Sequence, residues 1–326
     1  MSDPHSRNAA AASGRTSRIW RDGQLIDWDE ATIHVMSHVV HYGSSVFEGV
    51  RCYEQADGEG GAIFRAREHA RRLVDSCKIY RMPLRWSVDE LVQAMVDTVA
   101  GNDVRECYLR PVCIRTGEQM GVLPTAAPLE TFIIAWKWGT YLGKEGVEKG
   151  VDVRVSSWRR AAPDTFPAMA KAGGNYLNSQ LSKMEAREDG YAEGVMLDSF
   201  GYVAEGSGEN LFAVRDRVLY TSPLSSSILQ GVTRDSVMRI AADLGYEVQE
   251  RVLPREFLYV ADELFFCGTA AEITPIRSVD HIPVGEGRPG PVTQTIQREF
   301  LAIARGSQLD RHGWLTRVPA AVPAGE

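Results

Sequence analysis

The sequence is poor in cysteine, shows no excess of positive charge and contains no long apolar run. Its five cysteines, Cys52, Cys77, Cys107, Cys113 and Cys267, are scattered with no C-x-x-C spacing. An odd and dispersed set argues against a disulfide framework or a structural zinc and fits free thiols in a reducing compartment, so a cytoplasmic location is expected. With 36 Lys+Arg against 43 Asp+Glu and a formal net charge of -7, the dense basic face that nucleic acid requires is missing. The longest apolar run, TFIIAWKW at 131–138, is broken by Lys137 and is too short to cross a bilayer. Small molecules are therefore the expected partners, with no nucleic acid and no membrane. The opening stretch RNAAAASGRTSR is basic but lacks the large apolar residues of a transit helix, and a disordered tail is expected over 1–17.

What is present is enough for two domains: 326 residues, 44% of them hydrophobic. IWRDGQLIDW predicts a hairpin turning at Asp22-Gly23, followed by a β-rich run around 46–53. A helix is predicted over about 66–80, with Leu73, Cys77 and Tyr80 at helical spacing. A second, over about 87–100, opens on Ser87 with Glu90 three residues on, a capping-box pattern. Strands at 105–115 and 131–137 complete an N-terminal domain over 18–137. The glycine-rich WGTYLGKEG supplies a linker at 138–147. A larger C-terminal domain, 148–315, carries strands near 151–157, 193–198, 202–205, 209–214, 218–221, 246–250, 262–267 and 273–278. Its helices are predicted near 175–189, 232–244 and 291–305, and a flexible tail over 316–326. Strand clusters with helices between them predict a mixed α/β (α+β) protein of two lobes with a ligand cleft where they meet.

Several motifs tempt and then fail on their surroundings. HVMSHVVHYG spaces His34, His38 and His41 as a helical zinc site would, but the valines between them favour an extended or irregular segment in which the imidazoles make ordinary hydrogen bonds. GEGRPG at 285–290 matches a dinucleotide-binding glycine pattern, yet too little chain follows it for such a lobe, and Pro289 suits a loop before the last helix. EGSGEN at 205–210 lacks the G-x-S-x-G spacing of a nucleophile elbow.

The remaining groups suit one cofactor. Pyridoxal 5'-phosphate needs an amine to bond covalently to its aldehyde, an acid for its ring nitrogen, a hydroxyl near its phenolic oxygen, and cations or helix amides for its phosphate. In FPAMAKAGGNYLNSQL, Lys171 stands among small and apolar residues, and Tyr176 offers a phenol five residues on. Glu205 sits between the apolar YVA and the glycines of GSG, and LQGVTRD opens a helix with amides at Gly231, Val232 and Thr233. A lysine is more often a solvated side chain, a glutamate in a turn more often hydrated, and a helix start merely a start. Their co-occurrence is what points to the cofactor.

HVMSHVVHYGSSVFEGVRCY, AAPDTFPAMAKAGGNYLNS, GYVAEGSGENLF, LQGVTRD and FFCGTAAEITPIRSVD together resemble the bacterial branched-chain amino acid aminotransferases, fold-type IV pyridoxal phosphate enzymes, from about Arg18 to Leu315. The resemblance implies that Lys171 is the catalytic lysine, that Glu205 pairs with the ring nitrogen and that Tyr176 bonds the phenolic oxygen. It gives the phosphate to Arg72, which residue type alone does not separate from Arg71, with Val232, Thr233 and Thr269. It places the substrate α-carboxylate on Tyr108 and the amides of Thr269 and Ala270, and the distal carboxylate of glutamate on Arg110. The side-chain pocket it implies is made by Tyr42, Phe47, Gly49, Tyr141 and Val122, the last from a neighbouring subunit, hence at least a homodimer. Amino acids and 2-oxo acids are the implied partners. Gln230 and Cys267 depart from the family pattern without touching this chemistry. Rival readings are a D-amino acid aminotransferase, an aminodeoxychorismate lyase, or a pyridoxal phosphate-binding protein without turnover.

Overall fold

A computed structural model describes residues 14–118, 120–124, 127–139 and 142–319. Most of the expected N-terminal tail, the end of the C-terminal tail and Tyr141 lie outside them. The described residues divide into two compact units, one taking in those up to Gly139 with Ala172–Gly174 and those from Ile303, the other 142–171 and 175–302.

The first unit is built on an eight-stranded sheet. β1 (Arg18–Arg21) and β2 (Gln24–Asp27) form the predicted hairpin; Asp22 and Gly23 have φ of 47° and 103°, the left-handed pair that a two-residue turn between twisted strands needs. β3 (Ser45–Phe47), β4 (Val50–Glu54), β5 (Gly61–Phe64), β6 (Cys107–Arg115) and β7 (Leu129–Trp136) follow. The helices Ala66–Ile79 and Val88–Ala100 bury their apolar faces, Ala70, Leu73 and Cys77 on one, Leu91, Met95 and Val99 on the other, in the core beneath the sheet. The second is capped as its sequence predicts: the Glu90 amide donates to Ser87 Oγ at 3.3 Å and the Ser87 amide to Glu90 Oε2 at 2.8 Å.

The second unit holds a nine-stranded sheet. β8 (Val151–Val155) and β9 (Glu193–Leu197) are parallel and joined through the helix Tyr176–Glu188 as a crossover. β10 (Val203–Gly206), β11 (Asn210–Arg215), β12 (Val218–Thr221), β13 (Val248–Glu250), β14 (Glu263–Gly268), β15 (Glu272–Val279) and β16 (Ile282–Pro283) complete it. β9 and β10 are buried along their whole length, so neither alternates between polar and apolar residues, and each holds one buried glutamate, Glu193 and Glu205, among small and apolar neighbours. The helix Val232–Asp243 starts at Gly231, and the helix Pro291–Ala304 follows the 285–290 loop.

Three expectations are corrected. His38–Tyr42 is a short helix, closed by Gly43 at φ 64°, not an extended segment. The hydrogen bonds expected of its histidines are there: His38 meets Ser44 Oγ at 2.7 Å and the Gly121 carbonyl at 3.0 Å, and His41 the Val35 carbonyl at 3.0 Å. The expected linker contains the start of a helix, Lys144–Lys149. Both expected tails take in ordered chain: Thr16 is buried and donates to the Ala135 carbonyl at 2.7 Å, and β17 (Leu315–Val318) pairs with β5. The described residues from Ile303 onward thus belong to the first unit, where the sequence predicts a second domain running to 315.

Candidate active site

Lys171 follows a turn in which the Ala170 amide donates to the Pro167 carbonyl at 3.1 Å. Asn175 pins that turn from behind, its Nδ2 donating to the carbonyls of Pro167 and Ala170 at 3.2 Å each. The half-buried Lys171 amine then reaches the Tyr176 hydroxyl at 2.6 Å, at the first position of the helix Tyr176–Glu188. A lysine with only its end polar, anchored on a phenol and not in bulk water, is oriented for chemistry at Nζ.

Glu205 lies on β10, whose pairing with β9 slips between Val203 and Glu205. Such a bulge re-aims the side chain that follows it. The residue is 5% exposed. Arg160 approaches Oε1 at 3.1 Å, while Asn210 Nδ2 and the Leu229 amide each donate to Oε2 at 3.0 Å. Burial pushes the carboxyl above the ordinary range, and Arg160, the Leu229 amide and the charge of Lys171 work against it. Three donors on a carboxylate with about four lone-pair directions leave room for one more partner.

Asn210 ties these parts together. Besides Glu205 it donates to the Leu229 carbonyl at 3.0 Å, and it pairs in register with Cys267 of β14. A Cβ at Gly231 would stand 1.9 Å from Asn210 Oδ1, so the start of the helix Val232–Asp243 can rest here only as glycine. The N–H groups of that first turn, at Val232 and Thr233, present the positive end of the helix dipole. Two residues past Cys267, Thr269 and Ala270 form the turn from β14 to β15, which Glu272 closes at φ 53°. Within the second unit, the acid, the helix start and the Thr269 turn are thus anchored on or beside one asparagine, and the charge of Lys171 reaches the acid.

The first unit supplies a second group. Arg110 on β6 lies over the ring of Phe47, 4.5 Å from guanidinium carbon to centroid, and near those of Tyr108 and Trp136 at 5.5 and 5.8 Å. Its Nη2 is 3.4 Å from the Tyr108 hydroxyl, and its Nε is buried with no hydrogen-bond partner among the described residues. A buried donor left unmatched among aromatic rings calls for an acceptor. Gly49 is part of the same arrangement, since a Cβ there would sit 1.9 Å from the Tyr108 hydroxyl. Arg72 forks onto Glu48, Nε to Oε1 at 2.6 Å and Nη2 to Oε2 at 2.8 Å. Tyr42 joins a different group: its hydroxyl accepts from the Gly121 amide at 3.0 Å, beside Val122, which is 84% exposed.

Sequence reasoning misses Arg160, Asn210, Glu48 and His69. Asn210 and Glu48 stand inside the motifs that carry the resemblance, and the signal is a polar residue at the end of an apolar strand, Asn210 opening β11 and Glu48 following β3; Arg160 and His69 carry no local sign of their partners.

The family model for amino-transferase class IV matches residues 45–279. The branched-chain-amino-acid aminotransferase of Escherichia coli (strain K12) is 53% identical over 301 residues, 92% of this chain and 97% of that one. The Pseudomonas aeruginosa enzyme of the same name is 42% identical over 304 residues, 93% and 98%. Among solved structures, the E. coli branched-chain amino acid aminotransferase matches with a TM-score of 0.91 at 52% identity, covering 93% of this chain and all of that one (100%). The branched-chain amino acid aminotransferase of Thermobaculum terrenum, in its PLP-bound holo-form, matches at 0.87 and 37%, covering 94% and 99%. Matched along nearly its whole length in both sequence and fold, the chain belongs to the class IV aminotransferase family.

Proposed function

We propose that this aminotransferase moves the amino group between L-leucine, L-isoleucine or L-valine and 2-oxoglutarate, with pyridoxal 5'-phosphate as its cofactor. The observation that carries the proposal is the Lys171 amine 2.6 Å from the Tyr176 hydroxyl, in the unit that also buries Glu205. The donor set fits the cofactor in kind: an amine for its aldehyde, a phenol for its phenolic oxygen, a buried acid for its ring nitrogen, and helix amides for its phosphate. Lys171, Tyr176, Glu205, Val232, Thr233 and Thr269 would hold it, with Arg72 as the arginine on its phosphate. When bound, the cofactor supplies an electron sink for the charge left at the substrate α-carbon.

The chain's own groups do the rest. Lys171 Nζ takes the proton from the substrate α-carbon and returns one in the reverse half-reaction, and Tyr176 orients that amine. Glu205, whose carboxyl burial raises while Arg160 and the Leu229 amide oppose that shift, would pair with the cofactor's ring nitrogen and favour its protonated form. Tyr108, with the Thr269 and Ala270 amides, would bind the α-carboxylate. Arg110 would take the distal carboxylate of glutamate, and Phe47 and Gly49 would border the alkyl chain. One methylene is worth about 0.8 kcal/mol of burial, so leucine, isoleucine and valine should differ only a few-fold. Aspartate is too short to reach Arg110 and would leave its carboxylate unpaired. Val122, exposed with Leu123 and Met120 beside it, would cover the pocket of a second copy, and Tyr42, bonded to that loop, would go with it. A homodimer in the cytoplasm follows from this reading.

The test is a pair of half-reactions followed by absorbance. L-leucine and L-glutamate should each convert the bound cofactor, and Lys171→Ala should lose both the visible band and turnover. A response to D-alanine in place of L-leucine, or a preference for aspartate over leucine, would overturn the assignment.

A further inference from the structure

We propose that Glu48, backed by His69, is a positioning residue that fixes the Arg72 guanidinium for the phosphate of the cofactor. The inference rests on the reading of Arg72 given above. Glu48 follows β3 directly and is 0% exposed. Its carboxylate receives the Arg72 fork at 2.6 and 2.8 Å, and His69 Nδ1 lies 2.7 Å from Oε2. Arg72 and His69 stand three residues apart on the helix Ala66–Ile79, so both reach the same carboxylate from one face.

A two-point fork fixes the plane of the guanidinium and the direction of its Nη1 corner before any anion arrives. The rotamer freedom that an arginine gives up on gripping a phosphate is then already lost on folding, and binding does not have to oppose it again. Arg71, the neighbour that residue type does not separate from Arg72, is exposed on the same helix. The bend Phe47-Glu48-Gly49 therefore sets three site residues at once: Phe47 stacks on Arg110, Glu48 holds Arg72, and Gly49 leaves space for the Tyr108 hydroxyl. Nothing in the aminotransferase reaction itself requires a carboxylate at 48, so its service to Arg72 is separable from the chemistry.

The full chain, stripped of cofactor, is titrated with pyridoxal 5'-phosphate and with pyridoxal, which lacks the phosphate. The ratio of the two dissociation constants isolates the phosphate contact. Glu48→Gln should reduce the preference for the phosphorylated form about tenfold, the scale of one charge-assisted hydrogen bond put out of line, with pyridoxal binding unchanged within about twofold. His69→Asn should give a smaller drop in the same direction, and Arg72→Ala the largest. If Arg72→Ala leaves the ratio unchanged, the phosphate role of Arg72 falls and this inference with it. If Arg72→Ala lowers the ratio while Glu48→Gln leaves it unchanged or raises it, only the positioning role falls, and Glu48 is a structural ion pair. Should Glu48→Gln fail to fold, an unchanged ratio in His69→Asn overturns the proposal by itself.

Discussion

At position 49 even a methyl group would lie 1.9 Å from the Tyr108 hydroxyl oxygen, well inside any contact distance. Gly49 has no left-handed backbone to explain it, so the glycine is there for the tyrosine. Gly49→Ala should push the Tyr108 hydroxyl from its place beside Arg110 and raise KM for leucine and glutamate by about tenfold or more, the cost of one displaced polar contact to a buried carboxylate. The absorbance of bound cofactor should stay, because Tyr108 is not among the groups proposed to hold the cofactor. A KM left within twofold of the parent would show that the tyrosine does not hold the substrate. Lys171, Tyr176 and Glu205 are legible at this scale as candidate site groups, because residue type and local setting give them away, but the burial of Glu205 on a strand is not, since its glycine neighbours read as a turn. Arg160, Asn210, Glu48 and His69 are not, since their meaning lies in partners that chain distance hides: Arg160 meets Glu205 across 45 residues, and Glu48 meets His69 across 21.

Elements are legible wherever a local signal fixes them. The Asp22-Gly23 turn and the Ser87–Glu90 cap are each decided by a few adjacent residues, and both form as their sequences predict. The β10 bulge and the β5–β17 pairing depend on partners far along the chain and leave no such mark. The 285–290 glycines fall between these cases. Sequence predicts a loop before the last helix, which they form, but the reason for the glycines lies in the fold. A Cβ at Gly285 would stand 2.2 Å from the Asp262 carbonyl, and one at Gly290 would stand 2.0 Å from Glu263 Cδ. Gly285 thus lets the backbone approach a backbone carbonyl, and Gly290 lets it approach the Glu263 carboxylate. That carboxylate caps the helix Pro291–Ala304, accepting from the Val292 amide at 3.0 Å and from the Thr293 amide and hydroxyl at 2.7 Å each. Glu263→Gln keeps the shape but loses the charge facing the helix dipole, and should cost about 1–2 kcal/mol of unfolding free energy. Urea unfolding with an unshifted midpoint would show that the cap contributes nothing.

For the molecule as a whole, the class of fold can be read from alternating strand and helix signals, whereas the return of the C-terminal segment to the first unit cannot, because pairing β17 with β5 closes a loop of some 250 residues that no local pattern announces. Stability against pH is likewise a property of the whole chain, and two buried carboxylates pull it in opposite directions. Burial alone would raise Glu48, but the charge and fork of Arg72, with His69, outweigh it and hold the carboxyl well below the usual range. Its stabilisation is complete above the unfolded value and is lost as pH falls. Glu209, 4% exposed, is pushed up to about 8 by burial and by Glu193, against the pull of Lys183 and the Gly208 amide. Glu205 adds to the upward push. An unfolded glutamate releases its proton near ~4.3, so the folded chain keeps one that the unfolded chain has lost. The contribution of Glu209 is therefore full below ~4.3 and disappears as pH climbs through about 8. Glu209→Gln removes that loss. The variant should gain on the parent between pH 5 and pH 9, by on the order of a few kcal/mol in urea unfolding free energy. A gap between variant and parent that stays constant across this range would mean that Glu209 is ionised in the folded protein.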